Sequence, residues 1–221
     1  MKRNNLYEQA FAAWARRWGA VVLPLAEIHR QPFPNGPLKT PDFLVLGQGG
    51  PEGARLVVDV KGRRFGGTQD HPRSEWPNWC HASDLEALPS WAAHLGPSFR
   101  PVLAFVYALA DHAVLPPGTP DLFRFRDQCY LMRGVDVYAY RQHMRPRSTR
   151  WQTVFLSRSD FRHLVRPFSW FLDDSLEHRT SADDDATPSE PFLPPPDMSR
   201  RRQEPAETNG QETARVRGQL E

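Results

Sequence analysis

Cysteine is nearly absent from this chain: Cys80 and Cys129 are the only two in 221 residues. Two thiols so far apart make no disulfide framework. Cys80-His81 has no second ligand pair at a spacing that suits zinc. No apolar run approaches the roughly 20 residues needed to cross a bilayer. The N-terminus reaches Glu8, Arg16 and Arg17 without the apolar stretch of a secretory signal. A reducing, cytoplasmic setting without membrane contact is therefore expected. Neither sign of charge dominates, with 28 Lys/Arg against 26 Asp/Glu, and there is no internal repeat. These absences set aside disulfide-stapled secreted domains, zinc modules, membrane proteins and repeat arrays.

The near-neutral balance conceals an uneven distribution. Residues 173–221 hold Asp183-Asp184-Asp185, Pro194-Pro195-Pro196 and Arg200-Arg201-Arg202, and almost no large apolar side chain follows Leu193. Such a segment buries too little surface to offset chain entropy, so a disordered acidic, proline-rich tail is expected. The tail carries 12 acids and six Lys/Arg, which leaves 14 acids and 22 basic residues before it. About 172 residues suit one domain with a full core. Its net basic charge suits a polyanionic partner, although mildly basic soluble domains are common.

Hydrophobic periodicity outlines the elements. Tyr7, Phe11, Trp14 and Trp18 form an apolar stripe on a helix over 5–18, capped by Asn4 or Asn5 and ended by Gly19. Residues 20–28 read as a strand that Pro24 places near an edge. An irregular 29–40 segment follows, then strands at 42–46 and 55–60 joined by a glycine-dense turn. A long loop is expected over 62–82. Ser83-Asp84-Leu85-Glu86 reads as a capping box opening a helix to about Leu95, with Pro89 an awkward member. Residues 101–109 are almost wholly apolar and suit a central strand. Beyond them, strands are expected at 122–126, 129–135 and 151–156, a short helix near 136–143, and a helix at 159–166 capped by Ser157 or Ser159.

The chemistry concentrates in the hairpin. If its strands are symmetric about Gly50 and Pro51, Asp42 opposes Asp59, with Cβ atoms roughly 4.5–5.5 Å apart. Two carboxylates that close repel unless a cation or a proton sits between them. Side chains alternate along a strand, so Asp59 and Lys61 share a face and Val60 points the other way. Two carboxylates and an ammonium are thus expected to converge at a strand end. An ordinary Asp59–Lys61 ion pair, with Asp42 merely starting its strand, is the competing reading. Glu8 lies beside the helix stripe, where a first-turn acid also favours the helix dipole.

Glu8 on the first helix, Pro41-Asp42 opening the second strand and Asp59-Val60-Lys61 ending the third resemble the PD-(D/E)XK nuclease superfamily. That superfamily includes restriction enzymes and Holliday-junction resolvases. The segment Leu6-Tyr7-Glu8-Gln9-Ala10-Phe11-Ala12 is also similar to an uncharacterised bacterial family with an HYExAFE-like motif. Leu6 stands in place of that motif's His, and Ala12 in place of its final Glu. The resemblance implies an α/β, restriction-endonuclease-like fold: a mixed αβββαβ sheet core over 5–109, flanked by helices, with an extension over 110–172. It implies Mg²⁺, with Mn²⁺ as a substitute, bound by Asp42, Asp59 and the Val60 carbonyl, and by Glu8 through a water. Lys61 would orient the attacking water or stabilise phosphate charge. Asp42, Asp59, Lys61 and Glu8 are the implied catalytic set, acting on nucleic acid, in the first instance DNA. A homodimer fits such enzymes because many cut two strands.

Basic side chains supply possible phosphate contacts. Arg63 and Arg64 follow Lys61, and Arg145, Arg147 and Arg150 form a denser patch around Pro146. A solvated charged face is the alternative for both groups. Trp76 and Trp79 suit core packing, with base stacking as the second possibility. Two rival functions stand beside the nuclease. One is a non-catalytic nucleic-acid- or protein-binding module on the same fold. The other is an interaction protein that binds through its tail.

Overall fold

The computed structural model describes residues 5–25, 31–33, 36–49, 52–67, 72–73 and 75–173. Apart from Asp173, the expected tail lies outside the described residues, as does the end of the strand expected over 20–28. Helix α1 spans Leu6–Arg17 and leads to strand β1, Val21–Pro24. Two three-residue strands follow, β2 (Gln31–Phe33) and β3 (Gly36–Leu38), then β4 (Phe43–Leu46) and the 13-residue β5 (Arg55–Gly67). Short β6 (Pro72–Arg73) and β7 (Cys80–His81) precede α2 (Ala82–Leu95) and β8 (Phe99–Leu109). The remainder comprises β9 (Leu122–Phe125), β10 (Gln128–Asp136), α3 (Val137–His143), β11 (Arg145–Ser148), β12 (Thr153–Phe155), α4 (Arg158–Leu164) and β13 (Arg166–Pro167), with a 3-10 turn at Phe168–Phe171. The chain is thus mixed α/β, with elements α1, β1, β4, β5, α2 and β8 in the expected αβββαβ order.

The main sheet runs β1-β4-β5-β8-β10-β13. Among the described residues only β5 and β8 pair in parallel; α2 connects them and its length makes that crossover possible. The 110–172 extension contributes β10, which pairs along β8 and continues the same sheet. Each face carries its own core. Phe11 and Trp14 of α1 pack with Val45, Val58, Val60 and Phe168 on one side. Leu85 and Leu88 of α2 pack with Val57, Leu103, Phe105 and Tyr140 on the other. Residues 102–107 of β8 are wholly buried, as a strand covered on both faces must be.

Helix α1 begins where Asn5 accepts from the Tyr7 N–H, choosing Asn5 as the cap. Trp18 falls beyond its last turn and is 49% exposed, so the buried stripe ends at Trp14. The helix crosses β5 at Gly62, where any Cβ would come within 2.4 Å of the Tyr7 ring. Glycine there lets the two elements approach.

Four expectations are corrected. Residues 29–40 are not wholly irregular: β2 and β3 pair antiparallel with Gln31 opposite Leu38. The expected 62–82 loop loses its first six residues to β5, which pairs with β8 from Arg55 through Phe65. The glycines at 62, 66 and 67 weaken strand propensity, but a long neighbouring ladder overrides it. Helix α2 is capped at His81 rather than Ser83; the Asp84 carboxylate, three positions on, accepts from the His81 N–H at 2.9 Å. Residues 145–148, expected outside any element, form β11 against β12. Pro89 sits inside α2 without ending it. Among the described residues no helix is long and apolar enough to cross a membrane.

Candidate active site

Asp42 lies one residue before β4. The β4–β5 register pairs Phe43 with Val58, and one further step sets Asp42 opposite Asp59. The Asp42 N–H donates to the Val58 carbonyl at 3.1 Å, and its carboxylate accepts from the Val60 N–H at 2.6 Å. Two strands thus hold Asp42 by backbone and side chain together. Burial, then the Asp59 carboxylate, pushes the Asp42 carboxyl up to about 7; Glu8 adds to this and the Val60 N–H opposes it. Glu8, in the first turn of α1, accepts from the Asn5 side-chain amide. Its charge acts on Asp42 across the junction of helix and sheet.

Asp59 and Lys61 point together toward α2, as strand alternation requires. They lie in the middle of β5 rather than at its end, because the strand continues to Gly67. Asp59 and Lys61 are 2% and 8% exposed. Lys61 Nζ contacts Asp59 Oδ2 and lies 2.5 Å from Asp84 Oδ2. Lys39, arriving from the segment after β3, lies 2.9 Å from Asp59 Oδ1 and 2.5 Å from Asp84 Oδ1. The four charges alternate in a ring, each carboxylate touching both ammoniums. Burial would raise the Asp84 carboxyl, but Lys61 and Lys39 outweigh it and hold Asp84 below the usual carboxylate range. Burial would lower the Lys39 ammonium, but Asp59 and Asp84 reverse that and hold it above the ordinary lysine value.

Lys39 and Asp84 belong to this site and were not singled out in the sequence. Asp84 carried a signal, being an acid at a helix start, but a cap explained it fully. Lys39 carried none beyond its place three residues before Asp42. Only the return of α2 over β5 brings Asp84 to Lys61.

The arginines divide. Arg63 continues the inward face of β5: its guanidinium donates to the Gly62 and Trp79 carbonyls and lies 3.9 Å over the Trp79 ring. Burial lowers its pKa. It is built into the wall beside Lys61 rather than reaching into solvent. Arg64 points to the other face and is exposed. Arg145 lies 3.6 Å from Asp160, Arg147 lies over the Trp79 ring at 4.8 Å, and Arg150 lies over Trp151. Trp76 stacks on Phe65 at 3.9 Å. The Cys80 thiol is buried and pushed up to about 12, so it is no nucleophile at neutral pH.

Among the described residues, no three His, Cys, Asp or Glu side chains gather at metal-holding spacing. The side-chain donors here are two adjacent carboxylates, Asp42 and Asp59. Hard oxygen donors of this kind suit Mg²⁺, which takes one or two carboxylates and keeps several waters. Adjacent carboxylates, one of them driven toward neutrality by burial and by the other, are also a pair that a divalent cation would relieve. The residues present therefore fit the ion.

The pH dependence follows with a definite sign. The folded protein holds the Asp42 proton to about pH 7, whereas the unfolded chain releases it near 3.8. Asp42's contribution to stability is thus full below about pH 4 and lost as the pH rises through 7. In EDTA, Asp42→Asn should gain stability over the wild type between pH 5 and pH 8, on the order of 2 kcal/mol at the upper end. Asparagine can still accept from the Val60 N–H. Urea unfolding at the two pH values measures this; an unchanged difference would contradict the burial of Asp42 beside Asp59.

No protein-family model matches the sequence, and no curated protein matches it. Among solved structures, the chain is similar to Hjc of Archaeoglobus fulgidus, a Holliday junction resolvase from an archaeal hyperthermophile. The two share 16% identity at a TM-score of 0.46, over 77% of this chain and 100% of that one.

Proposed function

We propose that this chain is a divalent-metal-dependent nuclease of the PD-(D/E)XK kind, hydrolysing phosphodiester bonds in DNA. The observation that carries the reading is the meeting of Asp42 and Asp59 on paired strands, with the Lys61 ammonium against Asp59. Asp42, Asp59 and the Val60 carbonyl would hold Mg²⁺ or Mn²⁺, and Glu8 would hold one of its waters. The ion, when bound, supplies an acidified water and neutralises charge on the phosphate. Asp42 is fixed by the Val60 N–H and meets the ion already oriented. Lys61, held between two carboxylates, presents a point charge that cannot drift and stabilises negative charge growing on the phosphate. Lys39 is 42% exposed along its side chain. It can swing off Asp59 when the carboxylate takes an ion and can then meet the phosphate itself.

A second reading has its own observation. Asp59 is already ion-paired with two ammoniums, an arrangement that also serves structure alone, as in a binding module on the same fold. Purified protein incubated with plasmid, linear duplex, branched junction and RNA, with Mn²⁺ and with EDTA, decides between them. Cleavage in Mn²⁺ that EDTA abolishes is expected on DNA. No cleavage of any substrate, together with no calorimetric binding of Mg²⁺ or Mn²⁺, would leave the binding module. Dimer formation is expected if both strands are cut, and sedimentation measures it.

A further inference from the structure

A cleft of about 740 Å³ opens beside this site on the α2 side of the sheet. Its size is that of a small-ligand pocket. Four arginines line it, Arg133, Arg147, Arg158 and Arg162, and Glu75 is the sole acid among its lining residues. Arg133 forms a buried part of the lining, donating to the Pro120 and Met132 carbonyls. Aromatic rings make the other walls. The Trp79 ring lies near the guanidiniums of Arg63 and Arg147, and Trp76 is backed by Phe65. A cleft with several cations and several rings matches a nucleotide, which has an anion at one end and a π-face at the other.

The cleft is tied to the candidate active site by two short links. Along β5, Lys61 is followed two residues later by Arg63, which covers Trp79. Along the chain entering α2, Trp79 is followed two residues later by His81, whose N–H donates to Asp84 of the charge ring. A strand that leaves Asp42 and Asp59 along β5 meets the cleft wall where Arg63 packs on Trp79.

We propose that this cleft binds an unpaired nucleotide of the strand that is cut, so that the substrate is nucleic acid with a single-stranded segment next to the scissile bond. The base enters among the rings of Trp76, Trp79 and Phe155, and the phosphate rests on Arg147, Arg158 and Arg162. Continuous duplex does not fit, because its base faces are covered by stacking and its bases enter a concave pocket only after unpairing. The placement relative to the scissile bond rests on the nuclease reading; the binding of an unpaired nucleotide does not.

The test uses the full chain in EDTA, so that no cleavage intervenes, and follows fluorescence anisotropy of a labelled eight-residue oligothymidylate. Blunt duplex, dTMP and polyglutamate serve as competitors. Tight binding of the oligonucleotide is expected, with weaker competition by duplex and by dTMP. Arg147→Ala/Arg158→Ala replaces two exposed side chains and should weaken binding about tenfold. The same variant should reduce the salt slope by about 1.4, for two lost single-strand contacts. Wild-type affinity in the double variant, or duplex binding as tightly as the single strand, would overturn the proposal. Equal competition by dTMP would show a free-nucleotide pocket instead, and equal competition by polyglutamate a mere charge effect. If cleavage fails in Mn²⁺ while the double variant loses oligonucleotide binding, the nuclease reading falls and the cleft stands.

Discussion

Asp59→Asn is expected to lose about a thousandfold or more of Mg²⁺-dependent cleavage while keeping its fold. The substitution conserves shape and removes one negative charge from the middle of β5. Asp59 faces two tasks at once: it opposes Asp42 across the hairpin and accepts both Lys39 and Lys61. The neutral amide serves neither. The Asp42 carboxyl then lacks the neighbour with which it would share an ion, and Lys61 keeps only Asp84 as a charged partner. Asp42→Asn should act alike, and the double variant should lose no more than either single one, because the two work as a unit. Lys61→Ala should be as damaging. Lys61→Arg should not rescue it, since a planar guanidinium cannot replace a compact ammonium between two carboxylates. Single-turnover cleavage measures all five. Full activity in Lys61→Ala, or in Asp59→Asn, would remove the phosphodiester chemistry proposed for this site.

Asp84→Ala should destabilise the protein by about 3 kcal/mol, more than any substitution at the exposed arginines. The Asp84 side chain is fully buried and touches both ammoniums, and it also caps α2 through the His81 N–H. Its removal leaves Lys61, itself only 10% exposed along the side chain, sharing Asp59 with Lys39. Asp84→Asn keeps the cap and should cost less, which separates charge from capping. Lys61 and Lys39 lower the folded-state pKa of Asp84. Its contribution is therefore present above the unfolded carboxylate value and is lost as the pH falls through the folded one. The gap between wild type and Asp84→Ala in urea unfolding should be large at pH 7 and shrink on acidification. A gap below about 1 kcal/mol at pH 7 would mean that the four-charge ring is not formed in solution.

Much of the fold was legible because its strongest signals are local. The α1 stripe, the apolar run of β8 and the glycine turn between β4 and β5 each follow from a few consecutive residues. The hairpin also made the Asp42–Asp59 opposition readable, since two strands joined in sequence and paired symmetrically fix their own register. The length of β5 was not readable in the same way. Gly62, Gly66 and Gly67 argue against a strand, and only the parallel ladder with β8 extends it. That extension decided the place of Arg63, read as close enough to reach a flanking phosphate and found packed over Trp79. Arg158 and Arg162 went unremarked for a similar reason: on a short helix they look like ordinary surface charge, and the cleft exists only once α4 packs beside Trp79.

Local alternation and one glycine-dense hairpin connection were thus enough, from the order of residues alone, to place two acids and a lysine on neighbouring strands. The partners of those three were decided by tertiary structure. Lys39 and Asp84 come from segments separated by 45 positions in the chain and meet at 2.5 Å. No periodicity connects such residues. They are joined because burying the apolar face of α2 on the sheet carries the acid in its first turn onto the buried lysine of β5, where an unpaired charge would be too costly to keep.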